Sequence, residues 1–267
     1  PDEIASAMEE QYLPRFAGDH LPKTRTGNAL AVADKLDTIV GIFSTGELPT
    51  GDKDPFALRR AALGVLRIVI ENKLDLNLWT LLRSAAVHFT EHDATTLSNT
   101  IYDFMMDRLR AYYDDAGVKR DVFEAVLACR PEHPLDFDGR VRAVQAFQKL
   151  KEAVSLAAAN KRISNILKQA GDLDWDHVSK ELLQDEHEIK LAARISEMQT
   201  VVEPLFAAAD YTAAMKKLAT LRPEVDNFFD HVMVMVDEEA VRDNRLAVLQ
   251  GLRKLFLRVA DLSRLQE

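Results

Sequence analysis

The chain has one cysteine, Cys129, among 267 residues. That excludes an intramolecular disulfide and fits a reducing compartment. Glycine and proline are scarce, at ten and nine, whereas Ala, Leu, Glu, Lys and Arg are common, which favours helix over strand. No apolar run approaches the roughly 20 residues that a membrane span needs, and no signal-peptide pattern opens the chain. A soluble, cytoplasmic protein is expected. No P-loop, Rossmann glycine fingerprint, C-x-x-C or H-E-x-x-H is present, so nucleotide and zinc-hydrolase chemistry has no visible home. The segment Pro1-Asp2-Glu3 is no translation start, and the chain is expected to be part of a longer one.

What is present is an ordinary globular composition, 47% hydrophobic and 29% charged, with a formal net charge of −9. That balance argues against indiscriminate nucleic-acid binding, which usually concentrates basic residues. The average hides a gradient. Residues 118–171 hold ten Lys or Arg against six Asp or Glu, and residues 172–203 hold three against nine. A local basic face is therefore possible, followed by an acidic run, Asp172 to Glu188, expected to be solvated.

Periodicity predicts an all-α protein. Residues 3–13 read as a helix stopped by Pro14. In the stretch 28–43, Leu30, Ala33, Leu36, Ile39, Val40 and Phe43 recur at helical steps, with Asp34, Lys35 and Asp37 toward other sides. The polar stretch 44–55 follows, and its loop from Gly46 to Pro55 is expected to be an ordered surface feature packed between helices. Asp54 before Pro55 is an N-cap candidate for a helix whose core face is Phe56, Leu58, Ala62, Leu63, Leu66 and Ile70, leaving Arg59, Arg60 and Arg67 available. Further helices are predicted at 76–89 and 93–113, then a stop at Asp114 to Gly117. That stop divides the chain into residues 1–117 and 118–267. The second part reads as helices at 121–128, 138–152, 154–169, 178–183, 186–209, 210–221, 224–234 and 238–265.

Candidate chemistry is sparse. His92-Asp93 could contribute to a metal site, but Asp93 fits better as a helix cap. Cys129 has Arg130 and His133 nearby without positioning logic, so a structural thiol is the expectation. More informative is the run Asn160 to Lys168. Ile163, Ile166 and Leu167 form an inward stripe, and Lys161, Arg162, Asn165 and Lys168 can project together from the other side. Guanidinium and ammonium groups suit phosphates, and an Asn amide can read an exposed base edge. Arg242, Asn244 and Arg245 at the start of the last helix offer the same residue types. An ordinary solvated face is the alternative for both.

Several long motifs go further: PRFAGD at 14–19, ADKLDT at 33–38, GIF at 41–43, PTG at 49–51 and KDPFALRRAALG at 53–64. ANKRISNIL at 159–167, FFDHVMVM at 228–235 and RDNRLAVLQGLRKLF at 242–256 continue the match. Together they resemble the beta-subunit family of bacterial heterotetrameric glycyl-tRNA synthetases over nearly the whole chain. The resemblance implies the end of a degenerate His-Asp-like helical domain at 1–117 and a DALR-type anticodon-binding bundle at 118–267. It implies glycine tRNA and the synthetase alpha subunit, in an α2β2 assembly, as partners, with neither DNA nor membrane. ATP and magnesium would serve the alpha subunit, leaving this chain with no cofactor and no catalytic residue of its own. Within that resemblance Lys161, Arg162, Asn165, Lys168, Arg242, Asn244 and Arg245 are the expected tRNA contacts. The His-Asp likeness also raises a nucleotide phosphohydrolase, with Asp34 or Asp37 as a metal ligand. The upstream His and His-Asp ligands of that fold are absent from the chain. A purely protein-binding helical scaffold is the third reading.

Overall fold

A computed structural model describes the chain except for residues 1, 48, 50–53, 55, 90–92, 172–176 and 266–267. Among the described residues the secondary structure is helical throughout, with no strand. The chain forms two compact units. One comprises residues 1–118 and 131–138, and the other residues 119–130 and 139–267.

The first unit contains α1 (Asp2–Glu10), α2 (Arg25–Ser44), α3 (Leu58–Glu71), α4 (Leu78–Ala86) and α5 (Ala94–Asp115). Close approach begins at the α2 N-terminus. Thr24 Oγ1 accepts the Gly27 N–H, and the Glu10 carboxylate accepts the Lys23 and Thr24 N–H groups and the Thr24 hydroxyl. Gly27 is required here, because a Cβ at that position would lie 1.9 Å from Glu10 Oε2.

Along α2, Leu36, Ile39, Val40 and Phe43 are buried as the spacing predicts. The N-terminal half differs: Leu30 and Ala33 face solvent, and Ala31, Val32 and Lys35 are buried instead. Lys35 makes this possible by lining the helix with its aliphatic stem while Nζ donates to Gln11 O at 2.9 Å. Burial pushes its amine below the usual lysine range, partly offset by Asp34.

Helix α3 starts later than its sequence suggests. Ala57 adopts the left-handed conformation at φ 57°, so the helix begins at Leu58 and Phe56 is exposed rather than core. Asp54 still caps it from outside, accepting the Leu58 N–H at 2.8 Å and the Arg59 N–H at 3.1 Å. Half of the 44–55 loop lies outside the described residues. The returning segment 131–138 completes this unit, with Tyr102 Oη donating to Pro131 O and Leu78 N–H to Glu132 O.

Gly117, at φ +75°, ends α5 in the left-handed turn that frees the chain for the second unit. There α6 (Arg120–Leu127), α7 (Pro134–Phe147, entering from the returning segment), α8 (Ala153–Ala170), α9 (Glu186–Ala207), α10 (Tyr211–Ala219), α11 (Arg222–His231) and α12 (Glu239–Leu257) follow. Several predicted bounds move: the helix expected at 138–152 is α7, and that expected at 178–183 is a 3-10 turn at Lys180–Leu182. Helix α11 stops at His231, and the next residues alternate, with Val232 and Val234 buried and Met233 and Met235 exposed. Helix α12 stops at Leu257, after which Asp261 N–H donates to Ala125 O and residues 262–264 form one 3-10 turn.

Candidate nucleic-acid interface

Helix α8 is amphipathic in the plainest sense. Leu156, Ala159, Asn160, Ile163 and Leu167 are buried at three- and four-residue steps. Asn160 belongs to this inner side, donating from Nδ2 to Leu156 O at 2.9 Å. On the outer side Lys161, Arg162, Asn165 and Lys168 are all exposed. Positions i, i+1, i+4 and i+7 place the four side chains on one surface strip two turns long. No described carboxylate forms an ion pair with any of the three cations, so their charge is available to a ligand.

Polar contacts tie α8 to α11. Ser155 Oγ donates to Asp226 Oδ1 at 2.6 Å, and Arg222 Nε holds the other oxygen of that carboxylate at 3.1 Å. Further along, the Arg162 guanidinium lies 4.3 Å from the Phe229 ring centroid. A guanidinium over an aromatic face is held in place yet keeps its N–H groups at its edge, where a phosphate or base can meet them. Sequence spacing misses this pairing because Phe229 is far away in the chain. Its only local signal is the doublet Phe228-Phe229, whose first ring is buried while the second is half-buried.

The start of α12 behaves differently, and two of its three predicted contacts are corrected. Asn244 is buried: Oδ1 accepts the Ser179 N–H at 2.7 Å and Nδ2 donates to Ser179 O at 3.0 Å. Arg245 is also buried. Nη1 donates to Met233 O at 2.8 Å, and Nε lies 3.4 Å from Glu188 Oε2. Both side chains hold the protein together and are not offered to a ligand. Glu188, expected in a solvated acidic run, is fully buried, and its Oε2 also accepts the Asp185 N–H in the capping box that opens α9. Arg242 alone stays accessible, within 3.9 Å of Glu239 and 3.6 Å of Asp243, which offset its charge.

A separate cleft of about 820 Å³ runs along α9 and α12. Ile189, Ala192, Ala247 and Gly251 line it, with Lys180 and Lys254 among its polar groups.

The remaining candidates take the less reactive role. Asp93 caps α5 by accepting the Thr95 and Thr96 N–H groups and the Thr96 hydroxyl, and those bonds hold its carboxyl below the usual range. His92 lies outside the described residues. Asp34 and Asp37 are exposed, and among the described residues no three His, Cys, Asp or Glu side chains converge on a point. Cys129 is half-buried and burial pushes its thiol up, the opposite of nucleophile activation. His133 hydrogen-bonds Asp75 at 2.7 Å.

Two family models match parts of the chain. Residues 1–128 match the family described as glycyl-tRNA synthetase beta subunit, and residues 156–262 match the DALR anticodon binding domain. The chain is 54% identical over 263 residues to the glycine–tRNA ligase beta subunit of Marinobacter nauticus, covering 98% of this chain and 38% of the relative. It is 55% identical over 265 residues to that of Aeromonas salmonicida, again covering 98% and 38%. It is 53% identical over 266 residues to that of Edwardsiella ictaluri, covering 99% and 39%. The chain thus spans under two-fifths of the length of these relatives. No described helix is long and apolar enough to cross a membrane.

Proposed function

Because the chain belongs to the glycyl-tRNA synthetase beta-subunit family, we propose that it binds glycine tRNA and holds it for aminoacylation by the alpha subunit. The observation that carries this reading is the α8 strip. Three cations and an amide project together, without carboxylate partners among the described residues, from the segment that matches an anticodon-binding domain. An anticodon loop presents unstacked bases on a phosphate backbone. Lys161, Arg162 and Lys168 supply the phosphate contacts, and Asn165 supplies a hydrogen-bonding edge for a base.

Binding energy gathered here acts far from the reacting ester. It serves transfer by fixing where the acceptor end of the tRNA lies, which replaces a bimolecular encounter by a positioned one. Glycine activation with ATP and magnesium belongs to the alpha subunit in this scheme, within an α2β2 assembly in the cytoplasm.

The test is a salt titration of glycine tRNA binding by the wild type and four single variants. Lys161→Ala, Arg162→Ala and Lys168→Ala should each weaken binding and flatten the log–log salt slope by about 0.7 to 0.9 for every phosphate that the variant no longer neutralises. Asn165→Ala should lose about 1 kcal/mol or more for glycine tRNA, taking the scale of base-edge contacts, with the slope nearly intact. Unchanged affinity in all four, with helicity and melting temperature preserved, removes the site from α8.

A further inference from the structure

The first unit holds a concentration of positive charge that anticodon recognition does not use. A cavity of about 170 Å³ is lined by Pro14, Phe16 and Ala17, by one face of α3 and by Arg108 and Ala111 of α5. Among the described residues its wall contains four arginines, Arg59, Arg60, Arg67 and Arg108, and no acidic side chain. Two carboxylates sit outside that wall, and one of them offsets a wall arginine. Glu71 pairs with Arg67 Nε at 2.7 Å, and Asp19 pairs with Arg15 at 3.3 Å.

One feature points to a ligand. Arg67 Nη1 and Arg108 Nε are buried and have no acceptor among the described residues, so the wall keeps donors that the protein does not satisfy. Arg60 stands exposed in the first turn of α3 beside these donors, at a helix N-terminus already capped by the Asp54 carboxylate.

We infer that this pocket binds a phosphate of an RNA backbone, with the adjoining base or ribose laid on Phe16. Guanidinium forks match phosphate oxygens in pairs, and the cavity is several times the roughly 30 Å³ that one water occupies. Phe16 is 58% exposed at its rim, which leaves a ring face open for stacking. The inference rests on the reading that tRNA is the ligand, and it assigns that tRNA a second contact, on the first unit.

The experiment is tRNA binding and its salt dependence for the full chain carrying Arg60→Glu, Arg60→Lys, Phe16→Ala or, as a reference on the other unit, Lys161→Ala. Arg60 and Phe16 are both exposed, so these variants keep the fold, which circular dichroism verifies. Arg60→Glu should raise Kd for a glycine tRNA transcript about tenfold or more and reduce the salt slope by about 0.7. Arg60→Lys should recover much of that loss, and Phe16→Ala should weaken binding about fivefold or more with the slope intact. Weakening by Lys161→Ala alone, with Kd and slope unchanged in the pocket variants, overturns the pocket assignment and leaves the α8 reading standing. Absence of tRNA binding by the wild type overturns both. Binding of poly-glutamate that Arg60→Glu abolishes, with tRNA affinity unaffected, assigns the pocket to an acidic peptide and overturns it as an RNA site.

Discussion

The α8 strip and the start of α12 carry the same residue types, Lys or Arg with Asn, on helices of one unit, and they do opposite work. On α8 the cations are exposed and Arg162 rests on the open face of Phe229. On α12 Asn244 grips the Ser179 backbone and Arg245 is buried against Glu188. The difference lies in what packs opposite. Helix α8 buries an apolar stripe and leaves its polar side unopposed. The N-terminal turns of α12 face the 177–188 segment and the Met233 backbone, whose peptide groups require partners once water is excluded. A basic helix turn is thus a ligand surface or a structural clasp according to whether unpaired backbone lies over it.

The largest expected effect tests the clasp. Arg245→Ala leaves the Glu188 carboxylate buried without its cation and Met233 O without its donor, and should cost about 3 to 5 kcal/mol in chemical denaturation. A loss below about 1 kcal/mol would dissolve the contrast between the two helices. Next, Asn244→Ala removes both hydrogen bonds to Ser179 and should cost about 1 to 3 kcal/mol. Its tRNA affinity, measured well below the melting temperature, should stay near wild type. A selective loss of tRNA binding at full stability would return Asn244 to the ligand surface.

These two residues also mark what sequence could and could not show. The helical class, the inward stripe of α8 and the outward set Lys161, Arg162, Asn165 and Lys168 follow from three- and four-residue spacing, a local property. The burial of Asn244 and Arg245 depends on Ser179, Glu188 and Met233, which reach them only through the tertiary fold. The same limit explains α2, where Lys35 enters the core because Gln11 O receives its amine, displacing Ala33 to the surface. It also explains α3, whose first turn is delayed by the left-handed Ala57. The alternation Val232, Met233, Val234, Met235 is legible in the chain as an extended segment but is hidden beside the helical pattern of α11. The arginine-lined cavity joins residues 14–17, α3 and α5, and only Arg59, Arg60 and Arg67 stand out in the sequence as available.

The smallest expected effect concerns Arg162. Its contact with Phe229 is partly solvated, so Phe229→Leu should change stability by about 0.5 to 1 kcal/mol beyond the packing difference, while loosening the guanidinium. Affinity for glycine tRNA should fall with little change in salt slope, because the charge remains. A slope that drops as far as in Arg162→Ala would mean that the ring, rather than the guanidinium, organises the phosphate contact.

The most direct measurement is lysine footprinting by acetylation and mass spectrometry, with and without saturating glycine tRNA. Lys190 on α9, 59% exposed and paired with Glu186, provides an internal reference in the same unit. Lys161 and Lys168 should lose most of their reactivity in the complex while Lys190 keeps its own. Undiminished reactivity of both α8 lysines in a preparation shown to have bound its tRNA would contradict the account.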